Sequence, residues 1–244
     1  MTSMTSVSAD VAKSHQTSKY HQARKRRKTI LPTYSDPKSL VTFLIGPGPN
    51  PVEFLIHKEI VCHNSGVLAV AFNGNFIEGR TQTYRIDDTT ERAFKLFMQW
   101  LYSKSFTLVQ DRVTYEMSES QEAAAKSENH SLVELWVLAD MLLMPSLQNA
   151  IIDVMMKIYY QDADFPAYIC EYVYQHTEKD SALRRLLVKQ CTLFGEDAET
   201  LEKLAIQLPK EMLVDVYVSQ ILLVPGYMSS EIFLSKYYVS EESD

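Results

Sequence analysis

Residues 57–63 of this 244-residue chain read HKEIVCH. Histidine and cysteine are the residue types that hold zinc or form a Cys–His nucleophile pair. Either chemistry needs the side chains to converge. His57 and Cys62 are five positions apart, and His57 and His63 are six apart. At 100° per residue neither pair shares a helix face, and the adjacent Cys62 and His63 diverge. Zinc would need further ligands, yet the three cysteines, Cys62, Cys170 and Cys191, show no Cys-x-x-Cys spacing. The reading is therefore no catalytic residue, no metal and no cofactor. His57 joins a strand to a helix and bonds the backbone, and Cys62 packs as a small hydrophobe. An enzyme with a Cys/His site near Cys62 stands as a remote alternative.

Other catalytic signatures are missing: there is no GxSxG, no HExxH and no Walker A motif. The pair Gly46-x-Gly48 lacks a following Lys-Ser/Thr and leads into a strand, so it does not cradle phosphate. Asp87-Asp88 sits at a strand-to-helix turn, where capping accounts for at least one carboxylate. With only seven glycines, backbone can approach a cofactor closely at few places. No small-molecule substrate is expected.

Charge divides the chain. Residues 1–38 hold eight Lys/Arg against two Asp, and the remainder holds 16 Lys/Arg against 29 Asp/Glu. An acidic body repels phosphate, which disfavours direct nucleic-acid binding by the folded part. Residues 1–36 are rich in Ser, Thr, Lys and Arg and read as a disordered basic arm. Within it, Arg24, Lys25, Arg26, Arg27 and Lys28 form a nuclear-localisation-like run. Its bland reading is a solvated tail. No apolar run reaches the roughly 20 residues of a membrane span, and the first residues lack an apolar signal core. Sparse, odd-numbered cysteines fit a reducing compartment. The expected location is nucleus, cytoplasm or both.

The elements that position these residues follow from periodicity. LVTFLIG and PVEFLIH alternate apolar and polar residues around a Gly/Pro loop, which predicts a hairpin. HKEIVCHNS predicts a short helix, Ser65 an N-cap, and TQTYRI a third strand. Asp88 is read as the N-cap of a helix carrying Phe94, Phe97, Met98 and Leu101 on one face, and SFTLV as a short strand. The polar stretch 110–130 reads as an exposed loop, with at most a short helix around EAAAK, within an insertion at about 104–130. Ser131-x-x-Glu134 reads as a capping box that starts a helix, and Pro145 as the first turn of the next. Helices fill the rest. Strands come first and helices follow, so the expected class is α+β.

In this order the motifs resemble a known family. They are Phe54-x-x-His57-Lys58, then Ser65, Phe72, Gly74 and Phe76-Ile77-Glu78, then Phe94 and Phe97-x-x-Trp100-Leu101-Tyr102. This is similar to a BTB/POZ domain, in flavour to the fungal single-BTB proteins. The resemblance implies a BTB/POZ fold over 37–160, a small sheet with surrounding helices, followed by an all-helical region over 161–240. It implies a non-enzymatic module that forms homodimers or heterodimers. Many relatives are substrate adaptors for cullin-3 ubiquitin ligases; others act in transcriptional regulation, the alternative being a nuclear cofactor or scaffold. Structural motif residues carried over are Phe54, His57, Lys58, Ser65, Phe72, Phe76, Glu78, Phe94 and Tyr102. Leu132 and Glu134 fit the hydrophobic-x-acid pattern of cullin contacts, expected on an exposed surface. Glu134 equally fits as the capping partner of Ser131. The family's opening Ser-Asp, which contributes to its swapped dimer, is here Ser39-Leu40.

Overall fold

The computed structural model describes residues 32–112, 118–162, 165–194, 198–222 and 236–241. Tyr34–Asp244 is one compact unit, separate from Met1–Thr33. The basic run Arg24–Lys28, and the arm up to residue 31, lie outside the described residues. At the end of the segment read as arm, the Ser35 N–H donates to Glu59 at 3.0 Å. The Tyr34 ring meets His57 edge-on at 5.6 Å.

Strands β1 (Leu40–Ile45), β2 (Val52–His57) and β3 (Thr83–Ile86) form a sheet in the order β2-β1-β3. Alternation buries Val41, Phe43 and Ile45 on one face of β1. The expected hairpin is present: β1 and β2 pair antiparallel, with Phe43 opposite Phe54. Its Gly/Pro loop needs a left-handed backbone at Gly46 (φ 96°), a conformation glycine adopts without a Cβ clash. Arg85 on β3 fixes this loop, donating to the Gly48 carbonyl at 2.6 Å and to Asp87 at 2.7 Å.

β3 pairs with β1 in parallel, Ile45 opposite Ile86. A parallel neighbour requires a crossover. Here helices α1 (Lys58–Asn64), α2 (Gly66–Asn73) and α3 (Ile77–Thr81) lie between β2 and β3 in the chain. The order strands-then-helices is corrected to that extent; the class remains α+β, with a mixed sheet. Helix α4 (Glu91–Ser103) is capped by Thr90, not Asp88. Thr90 is the extended residue immediately before the helix, and its hydroxyl accepts from the Ala93 N–H at 3.3 Å.

Two further expectations are overturned. Residues 105–109 form no strand; they run irregularly, with the Thr107 N–H donating to Gln99 at 3.0 Å. The polar stretch up to 130 is largely helix: α5 spans Glu119–Met141. Its start lies at Ser118, whose N–H donates to Gln121 at 2.9 Å, so Ser131 sits in mid-helix and caps nothing. The Ser131 hydroxyl instead donates to the Ser127 carbonyl one turn back, at 2.9 Å. Buried Glu128 explains the extension. Its carboxylate accepts the Val109 N–H at 3.0 Å and the Gln110 N–H at 3.3 Å, and Arg92 lies 3.8 Å away. A charge inside the fold needs such partners.

Helix α6 (Pro145–Asp162) starts at Pro145 as expected, after Leu143 turns the chain with φ 51°. Then come α7 (Cys170–His176), α8 (Ala182–Phe194), α9 (Ala198–Ala205) and α10 (Lys210–Leu222). Buried Arg184 on α8 closes the end of α7. It donates to the Tyr174 carbonyl at 2.6 Å and the Thr177 hydroxyl at 2.9 Å, and lies 4.4 Å from the Tyr174 ring. The Tyr174 hydroxyl donates to Asp215 of α10 at 2.8 Å. One hydrophobic core runs from the sheet into these helices, including Phe43, Phe94, Trp100, Trp136, Leu183 and Met212.

Candidate functional site

The motif residues taken from the sequence mostly build scaffold. The His57 ring bonds the Tyr102 hydroxyl at 2.8 Å, and the His57 backbone N–H donates to the same oxygen at 3.2 Å. The expected ring-to-backbone bond is thus replaced by a side-chain partner 45 positions away, which ties β2 to the end of α4. Lys58 donates to the Phe72 carbonyl at 2.9 Å, closing α1 against α2. Ser65 caps α2 through the Leu68 N–H at 3.1 Å and donates to the Leu142 carbonyl at 2.8 Å, which anchors the α5–α6 turn. Phe54, Phe72 and Phe94 join Phe43 and Phe97 in one aromatic cluster, with Phe54 4.9 Å from Phe94. Glu78 is half-buried on α3.

Cys62 and the histidines each answer to different neighbours. His57 belongs to Tyr102, and His63 is exposed near the end of α1. Cys62 is half-buried, with its sulfur 3.7 Å from the Asn73 amide nitrogen. Burial pushes its thiol pKa up, against the pull of Lys58 and Asn73, which disfavours the thiolate a nucleophile needs. Among the described residues no group of three or more His, Cys, Asp or Glu could hold a metal ion.

Leu132 and Glu134 are not on an exposed surface. Leu132 is 0% and Glu134 7% exposed. Starting α5 thirteen residues earlier, from Ser118 instead of Ser131, puts 132–134 in the middle of a packed helix, facing neighbours on both sides. Glu134 accepts a short hydrogen bond from the Thr90 hydroxyl and lies 3.4 Å from His130. The His130 ring meets Tyr172 of α7 edge-on at 5.0 Å, and Tyr172 stacks on His176 at 4.1 Å. Burial, then Glu134 and Asp88, push the Tyr172 hydroxyl up to about 12. Glu134 therefore belongs to a junction between α4, α5 and α7.

Phe76 is the motif residue that faces solvent. It is 61% exposed, and its neighbours Ile77 and Val70 are 62% and 63% exposed. Val70 lies on the last turn of α2 before Gly74, and Phe76 and Ile77 open α3. Close backbone approach shapes this corner: a Cβ on Gly79 would meet the Gly74 carbonyl oxygen at 2.1 Å. Elsewhere a cleft of about 400 Å³ opens between α5, α6 and α8, lined by Gln110, Ala125, Asn129, Met155, Tyr159 and Ile169 among others.

Sequence reasoning missed Val70 and Ile77 as surface groups, and it missed Glu128. A signal for Glu128 existed. Ala125, Glu128, Leu132, Leu135 and Ala139 continue one helical stripe, so the buried face could have been followed back into the polar stretch.

The sheet is small and mixed and backed by helices, its motif polar residues are bonded into the frame, and apolar side chains of α2 and α3 face solvent. The family model for the BTB/POZ domain matches residues 41–158, and this segment is a BTB/POZ domain, in agreement with the motif resemblance. Such domains are protein–protein interaction modules and imply dimerisation; as a class they are not catalysts. No curated protein matches the chain. No described helix is long and apolar enough to cross a membrane.

Proposed function

We propose that the protein acts by binding other proteins through its BTB/POZ domain, a second copy of itself included, with the α2–α3 corner as contact surface. The observation that carries this is the exposure of Val70, Phe76 and Ile77 together, each above 60%. Clustered exposed apolar residues mark interaction sites where scattered ones do not. Sedimentation of the full chain tests it. The wild type is expected to be dimeric and the Phe76→Asp/Ile77→Asp variant monomeric. An unchanged mass in the folded variant removes the corner from the interface.

The finer reading is a substrate adaptor for a cullin-3 ubiquitin ligase, in a chain whose motifs resemble those of fungal single-BTB proteins. It is supported by the motif series, and it uses surfaces other than Leu132 and Glu134, which are buried. A pull-down with the cullin-3 N-terminal region decides; a folded chain that captures none is no adaptor. The second reading, a nuclear transcription cofactor or scaffold, is favoured by Arg24–Lys28. Replacing that run with alanines should shift the protein out of the nucleus, and an unchanged distribution counts against it.

A further inference from the structure

The described C-terminal segment, residues 236–241 (KYYVSE), lies on α6 and α8 in the manner of a bound peptide. Asn149 of α6 makes a two-way amide pair with Val239: its Oδ1 accepts the Val239 N–H at 2.8 Å, and its Nδ2 donates to the Val239 carbonyl at 3.1 Å. The same Nδ2 donates to the Glu241 carboxylate at 3.1 Å. One turn along α6, Asp153 accepts a short hydrogen bond from the Tyr238 hydroxyl. Arg185 of α8 donates to the Lys236 carbonyl at 3.4 Å. Tyr237, Tyr238 and Val239 pack against the core.

These contacts read a peptide feature by feature. An asparagine amide pairing with both groups of one residue imitates a strand neighbour and accepts any side chain there. Asp153 selects a tyrosine hydroxyl one position before the clamped residue. The free edge of the Asn149 amide selects a carboxylate two positions after it. With residues 236–241 in place Asn149 is 7% exposed, and its amide oxygen and nitrogen are both bonded to that segment. Yet no residue of 236–241 is fully buried, and thirteen residues, 223–235, separate α10 from it. A partly exposed segment is held weakly enough to exchange.

We propose that α6 and α8 carry a peptide-recognition groove which residues 236–241 occupy in cis. A partner segment of the same chemistry displaces them: aromatic, tyrosine, aliphatic, small, acidic. This does not rest on the α2–α3 corner or on dimerisation, so either reading can fail alone.

The test uses the full chain and a labelled peptide, Lys-Tyr-Tyr-Val-Ser-Glu, in fluorescence anisotropy. Val239→Pro removes the N–H that Asn149 accepts and weakens the cis occupant while leaving the groove unchanged. This variant should bind the peptide about tenfold tighter than wild type, the scale of one lost hydrogen bond. Adding Asn149→Ala should abolish the gain. A folded Val239→Pro chain with no gain, or a gain that survives Asn149→Ala, overturns the proposal. Hydrogen exchange on the wild type gives an independent reading. Unlabelled peptide at about 10 mM, enough to compete with an intramolecular occupant, should speed exchange of the Val239 amide. An unchanged rate there also overturns it.

Discussion

Gly79 shows how much one missing atom can decide. It sits in α3 where backbone passes so close that a Cβ would lie 2.1 Å from the Gly74 carbonyl oxygen. A backbone atom cannot rotate away as a side chain can. Gly79→Ala should destabilise the protein by about 3 kcal/mol, at the upper end of overpacking costs, measurable as a lower urea midpoint. Nothing in the letters Phe-Ile-Glu-Gly announced this, because the clash is with a loop five positions back. Tyr172 is a second case. Its hydroxyl is pushed up to about 12 by burial, with Glu134 and Asp88 adding to it. The folded state keeps the proton that the unfolded chain releases near pH 10, so unfolding releases a proton and stability falls as pH rises from 10 towards 12. Urea midpoints should agree up to about pH 9 and drop at about pH 11, and Tyr172→Phe should shrink that drop.

At the scale of elements, helix α5 separates what periodicity reveals from what it hides. The hairpin, Ser65 as a cap, Pro145 as a helix start and the helical stripes of α4, α6 and α8 were all legible, because apolar spacing and turn residues encode them locally. The first half of α5 was legible only as a short helix around EAAAK. Its residues are polar, and polarity was taken for exposure. The helix there is held by a buried carboxylate bonded to backbone N–H groups of 109 and 110, a long-range arrangement that no local pattern prints. A cap read at Ser131 instead of Ser118 shifts the helix start by thirteen residues and places Leu132 and Glu134 on a surface they do not occupy. Glu128→Ala should cost about 3 kcal/mol, since it orphans the Val109 and Gln110 N–H donors, while Arg92 keeps the Ala124 carbonyl. Limited proteolysis should then cut first near 105–112. Glu128→Gln should cost less, because one amide oxygen still accepts.

Across the whole molecule, the BTB/POZ domain and the helices behind it share one core. Arg184 and Tyr174 knit α7, α8 and α10, and the Glu134–Tyr172 junction joins α7 to α4 and α5. Such continuity predicts one cooperative transition for the unit from Tyr34 onward, and two separated melts would show that the helices behind the domain fold by themselves. Optics can check this without any label. The chain has two tryptophans, Trp100 and Trp136, both buried and both within the matched 41–158 segment. Their emission watches the domain alone, while far-UV circular dichroism is weighted by every helix. The two signals should melt at the same temperature. The placement of two indole rings thus gives the protein a built-in reporter that sees one half of the core and tests whether the other half keeps pace.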